Sequence, residues 1–138
     1  MWWIYALLSA FFAALTAIFA KIGVENVNSN LATAIRTVVV LVMIWVIVFW
    51  RDEVKGITEL SRRTWLFLTV SGLATGLSWI FYFKALQMGE VSKVAGIDKL
   101  SLALTVLFAV IFLGETLSWK TAAGAGLIVI GTLFLILK

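Results

Sequence analysis

The chain has 138 residues, 63% of them hydrophobic and 13% charged, against the roughly 25% charged residues of an ordinary soluble domain. A domain of this size keeps much of its surface wet, so this composition excludes an ordinary cytosolic enzyme. The net charge is +4 and there is no Cys or His. That excludes disulfides, thiolate chemistry, a zinc centre and a Ser-His-Asp triad. No basic run is present that would follow a phosphate backbone, so nucleic acid is not an expected partner.

Five runs come near the ~20 apolar residues that a transmembrane helix requires. The first is 2–20, uncharged throughout. It lacks the basic start of a cleaved leader and is long enough to span. The second is 31–50, with Arg36 near its start, and the third is 64–83. The fourth is 94–114, with Asp98 and Lys99 near its start, and the fifth is 121–137. The fold class expected is an all-α integral membrane protein of five transmembrane helices in a single domain, 1–138. The alternative is a helix hairpin sharing one span. Asn26, Asn28, Ser29 and Asn30 punctuate the first connection. Gly114 reads as a helix stop and Ser118 as the N-cap of the last span. Trp2, Trp3, Tyr5, Trp45, Trp50, Trp65 and Trp119 lie near predicted helix ends, where an aromatic belt meets the lipid headgroups. Short connections predict antiparallel neighbours.

Five spans put the termini on opposite sides. One side then carries Arg51, Lys55, Arg62, Arg63 and Lys120; the other carries Lys21, Arg36, Lys84, Lys93, Lys99 and Lys138. Orientation follows the cytoplasmic Lys/Arg excess, and this split gives almost none. Discounting the partly embedded Arg36, Lys84 and Lys99 weakly favours an inside N-terminus. The sequence therefore permits insertion both ways round.

The order of motifs resembles the drug/metabolite transporter superfamily, specifically its EamA-type five-helix unit, end to end. The most specific stretch is 96–137, where an apolar span leads into Gly114-Glu115, then Leu117-Ser118, then a Gly-punctuated last helix. Arg36 early in the second span, and Phe83-Lys84-Ala85-Leu86 with Gly89 ending the third, are similar to the same family. Family members usually carry a Pro before the polar start of the fourth helix; this chain has Gly96 there and no Pro anywhere. Most members are similar to two fused units in an inverted repeat. The resemblance implies a multi-pass protein of the cytoplasmic (inner) membrane that exports a small metabolite by alternating access.

Inverted repeats build their substrate site at the mutual interface. A lone unit reproduces this by pairing with an oppositely oriented copy, which the flat charge balance permits. The expected assembly is an antiparallel homodimer; a heteromer with a paralogous half and a parallel dimer are the alternatives. No cofactor or metal is expected.

On the third span Ser71, Thr75, Ser78 and Tyr82 share one helix face, with Trp79 beside Ser78. In lipid, hydroxyls face a partner helix or a watery cavity, or bond back to their own helix. The stripe reads either as a substrate-lining wall, with Trp79 and Tyr82 as aromatic contacts, or as glue between helices. Gly72 and Gly76 suit helix packing. Ser9, Ala13, Thr16 and Ala20 make a mildly polar face on the first span, for close packing or for substrate. On the fourth, Asp98, Ser101 and Thr105 form a stripe. Asp98 is the only carboxylate within a span; it reads as a titrating or cation-binding group, as an N-cap for the helix from Leu100, or as a partner of Lys99, Lys84 or Arg36. Arg36 would hold an anionic substrate group by bidentate bonds, or snorkel to the headgroups. Ala122, Gly126 and Gly131 on the last span are expected at the dimer seam.

The expected cavity is lined by the first, third and fourth helices. Small multidrug-resistance transporters, a related four-helix class, use a Glu in their first helix; 2–20 holds no acid, so that mechanism does not carry over. The alternative function is a non-transporting membrane subunit, or one half of a heteromeric transporter. A lipid-modifying enzyme would cluster acids or His at the interface, and here the acids are scattered.

Overall fold

The computed structural model describes residues 1–137; Lys138, counted in the charge balance, lies outside them. Six α-helices are present among the described residues: α1 Trp2–Val24, α2 Ser29–Trp50, α3 Arg62–Met88, α4 Val91–Asp98, α5 Leu100–Leu113 and α6 Trp119–Ile136. A short 3-10 helix, Glu53–Glu59, connects α2 to α3. Taken with α4 and α5 as one run, five helical segments are long and apolar enough to cross a membrane, and they run through 18 to 27 residues. At about 1.5 Å per residue they match the ~30 Å hydrocarbon layer.

Local chemistry accounts for the helix ends. Asn28 Oδ1 accepts from the Asn30 and Leu31 N–H groups and starts α2. Ser61 Oγ accepts from Thr64 N–H at the start of α3, and Ser118 Oγ from Thr121 N–H at the start of α6, both at 3.1 Å. Gly114 ends α5 at φ 67°, a left-handed conformation that suits a residue without Cβ. Glu115 N–H then reaches back to the Ala109 carbonyl at 3.2 Å and closes the end. The turn to α6 is short and exposed, with Gly114 and Ser118 at its two ends as expected. Ion pairs in the connection after α2, Arg51–Glu53 and Lys55–Asp52, are well exposed and add little stability.

Two helices outrun their expected spans. The first continues past Ala20 to Val24, which is buried. The third continues past Phe83 to Met88, because Leu86 is buried and no Gly interrupts before Gly89. The expected single fourth span is divided at Lys99, and its helix begins earlier, at Val91. At the joint Lys99 N–H bonds the Gly96 carbonyl, and Leu102 N–H bonds the Lys99 carbonyl; both steps span three residues, tighter than α-helical.

Residues 19–87 form one compact unit; residues 1–18 with those from 88 onward form the other. Within 19–87 the C-terminal ends of α1 and α3 lie together. Lys21 Nζ donates to the Leu86 carbonyl at 2.7 Å, and Gln87 Nε2 donates to the Val24 and Val27 carbonyls at 3.2 and 2.8 Å. The Leu86 and Val24 carbonyls belong to helix ends, where intrahelical partners run out, and Val27 lies in the turn between α1 and α2. The ammonium also suits the negative end of the α3 dipole. Val24, Phe83 and Leu86 are buried here. The two ends therefore share one side, as alternating spans require.

In the other unit α6 packs back along α4 and α5. Thr132, 4% exposed, donates its hydroxyl to the Gly96 carbonyl at 3.1 Å. Leu135 comes so close to Gly96 that an added Cβ would stand 2.6 Å from its Cδ1. Gly96 thus admits α6 to the break in the fourth span, and Thr132 supplies a second bond to a carbonyl there. Thr132→Val keeps the shape and removes that bond. It is expected to destabilise the protein by about 0.5–1.5 kcal/mol in detergent unfolding titrations, the range of interhelical hydrogen bonds in membranes; an unchanged midpoint would show the bond to be idle.

Candidate functional site

Within 19–87, α2 and α3 bring polar and aromatic side chains together. Ser29 and Thr33 are buried on α2, and each of Thr33 and Thr37 donates its hydroxyl to the carbonyl one turn back, both at 2.8 Å. These hydroxyls are satisfied by their own helix. One turn beyond Thr33, Arg36 projects onto α3. Its guanidinium carbon lies 4.4 Å from the Trp79 ring centroid and 5.2 Å from that of Phe83. Trp79 and Phe83 are one turn apart and so present neighbouring rings. Tyr82 lies within electrostatic reach of Arg36 and packs edge-to-face with Phe83, ring centroids 6.4 Å apart.

Arg36 is half-buried and has no carboxylate within ion-pair distance among the described residues. Asp98 pairs instead with its neighbour Lys99 at 3.6 Å, and Glu90 with Lys93 at 3.2 Å. A lone charge at mid-membrane costs on the order of 2.5–3.5 kcal/mol on insertion scales. Cation–π contacts return up to ~2 kcal/mol when desolvated. The two rings are thus a principal reason that Arg36 sits where it does.

The rest of the α3 stripe is open. Ser71, Thr75 and Ser78 are exposed, Tyr82 and Trp79 half-buried. Thr75 donates back to the Ser71 carbonyl at 2.9 Å. A Cβ added at Gly72 or Gly76 would meet nothing within 4 Å, so the smallness of these glycines is unused within the chain.

In the other unit Ser9 is exposed and Thr16 half-buried on α1. Asp98 is half-buried at the α4–α5 joint; it does not cap α5, whose first residue follows Lys99 without a side-chain cap. Ser101 and Thr105 are exposed, and Thr105 donates to the Ser101 carbonyl at 2.8 Å. On α6, Ala122 and Gly131 are exposed and Gly126 half-buried; a Cβ at either glycine would meet nothing within 4 Å. The side of α6 facing its own chain carries Thr132 and Leu135 instead. No group of three or more acids gathers to hold a metal among the described residues.

Of the residues singled out from the sequence, Arg36, Trp79 and Tyr82 come together. Phe83, the second ring on Arg36, and the Lys21 and Gln87 clasps were not anticipated. For Phe83 the signal was present, four residues after Trp79 and on its face. Lys21 and Gln87 lie just past apolar runs, where polar side chains commonly bond the last carbonyls.

Five helical segments of membrane length, with no strand among the described residues, make this a polytopic membrane protein. The chain belongs to the EamA-like transporter family, whose pattern matches residues 1–137. An uncharacterized transporter of a Sinorhizobium species, named for the cobO 3′ region, is 51% identical over 134 residues, covering 97% of this chain and 95% of that protein. An uncharacterized transporter of Bacillus subtilis is 29% identical over 124 residues, 90% of this chain but 41% of its own length. An uncharacterized protein of Methanocaldococcus jannaschii is 26% identical over 132 residues, 96% of this chain and 93% of that one. No solved structure matches the chain.

The Arg36–Trp79 contact is measurable by itself. A double-mutant cycle with Arg36→Gln and Trp79→Leu is expected to give a coupling of about 0.5–2 kcal/mol in unfolding titrations; additive effects would mean that the two side chains do not interact.

Proposed function

We propose that the protein is a small secondary transporter that moves a small metabolite across the cytoplasmic membrane by alternating access, working as an antiparallel homodimer and not as an enzyme. The family and the transporter relative at 51% identity support the carrier role. The pairing rests chiefly on one observation. The α3 stripe of Ser71, Thr75 and Ser78 lies exposed on a membrane-length helix, with unfilled space over Gly72 and Gly76. Hydroxyls in such helices turn to partner helices or water rather than to lipid tails. A second copy supplies such a partner.

Three further facts support the pairing. The Lys/Arg count is nearly even between the two sides, so neither orientation is strongly imposed. The exposed small residues Ala122 and Gly131 on α6, with half-buried Gly126, let another backbone approach closely. The B. subtilis relative, of whose length the 124 matched residues are 41%, is long enough for two such units in one chain. In this reading Arg36, Trp79 and Tyr82 contact the solute. Ser9, Thr16, Ser71, Thr75, Ser78, Asp98, Ser101 and Thr105 line its path, while Ala122, Gly126 and Gly131 belong to the seam.

The chain has no Cys, so one introduced thiol reports orientation cleanly. Lys55 lies in the exposed connection after α2, where its side chain makes an exposed ion pair with Asp52. With Lys55→Cys, a membrane-impermeant thiol reagent on intact cells is expected to label about half of the molecules, and the remainder after permeabilisation. Labelling of nearly all molecules from one side would rule out the antiparallel homodimer and point to an oppositely oriented partner subunit.

A further inference from the structure

A positive group inside a membrane span calls for a negative one, and Arg36 has none within ion-pair distance among the described residues. Its contacts are two ring faces. Ring faces accept no conventional hydrogen bond, so the five N–H donors of the guanidinium are without an oxygen acceptor among the described residues. Among the described residues no buried side-chain nitrogen is left unsatisfied, so these donors are not sealed off. A guanidinium held by aromatic faces, with its N–H edge open, is pre-organised for a planar oxyanion and loses little freedom on binding it.

Depth separates this arrangement from an arginine reaching out to the headgroups. Arg36 lies about 10 Å along α2 from Ser29, at 1.5 Å per residue. Of its two rings the guanidinium is closer to Trp79, one turn farther from the C-terminal end of α3 than Phe83. A snorkelling side chain would lean the other way, towards Phe83 and the helix end. Lys21 is committed to the Leu86 carbonyl, and the carboxylates of Glu90 and Asp98 are engaged by Lys93 and Lys99.

We propose that the Arg36 guanidinium, backed by Trp79 and Phe83, is an oxyanion-binding site that takes the carboxylate or phosphate group of a small solute. The proposal deepens the transporter reading, on which it rests for the identity of the solute as cargo. A lipid phosphate offers the same chemistry from a different source, so the test separates the two.

The full-length protein is delipidated in dodecyl maltoside, which carries neither phosphate nor carboxylate. Phenylglyoxal modifies arginines, and peptide mass spectrometry reads the rate at each of Arg36, Arg51, Arg62 and Arg63. The probes are benzoate, inorganic phosphate and the neutral benzamide, each titrated separately, and then phosphatidylglycerol added to the micelles. Benzoate or phosphate is expected to slow modification of Arg36 saturably, about tenfold at ~10 times the dissociation constant by mass action. Benzamide leaves the rate unchanged, and the three connection arginines keep theirs throughout. Slowing at Arg36 that is no greater than at those three overturns the proposal. So does protection by phosphatidylglycerol alone, which assigns the site to a lipid headgroup. An Arg36 that does not react even without anions is closed to solutes, and that overturns it as well. The measurement needs no flux, so its failure is distinct from a failure of the transporter reading.

Discussion

Nothing in the hydrocarbon layer accepts or donates a hydrogen bond, and every feature of this chain answers to that constraint. Its backbone is helical wherever it is apolar. Among the described residues the one interruption inside a span is at Lys99, close to the Gly96 carbonyl that Thr132 of α6 reaches. The carbonyls that end α1 and α3 are taken by Lys21 and Gln87 rather than left to lipid. In lipid there is no water to expel, so these bonds and close packing replace the hydrophobic effect as the force between helices. Gly96 shows the two together: it lacks a side chain so that Leu135 can approach, and its carbonyl is held by the residue three before Leu135.

The same constraint explains what was legible beforehand. Helix ends are decided within a few residues, and Asn28, Gly114 and Ser118 behave as their chemistry predicts. The lengths of α1 and α3 were underestimated because a charge, Lys21 or Lys84, was read as the end of an apolar run. Lys21 instead turns to a carbonyl acceptor, and Lys84 stays exposed while the helix continues. Near the break at Lys99 the Gly96 carbonyl takes a hydroxyl from 36 residues later in the chain, and no local pattern announces such a partner. Arg36 and Trp79 were each singled out, one as an embedded charge and the other as a flank of a polar stripe. Their contact is a matter of how α2 meets α3, which spacing along one helix does not encode. The exposed Trp2, Trp50 and Trp119 sit at helix ends as belt residues do, whereas Trp79 lies within α3 against the Arg36 guanidinium.

Function follows from what the chain leaves open. The α3 hydroxyl stripe, the glycines whose missing side chains nothing fills, and a guanidinium with rings but no acid are all unfinished within one copy. In the proposed reading a second copy would complete the first two and a solute the third. Carriers are expected to be like this. A site that must open to either side of the membrane in turn is built from surfaces that are never permanently closed, and its binding energy is lent by the cargo.

The most direct test of that account is movement of solute. Proteoliposomes containing the purified protein would be loaded with a complex extract of small metabolites, and the contents lost over time compared by mass spectrometry with those of protein-free vesicles. The account predicts selective, saturable depletion of one or a few small acidic solutes. Equal loss from both sets of vesicles would contradict it and leave the protein as a membrane subunit without transport of its own.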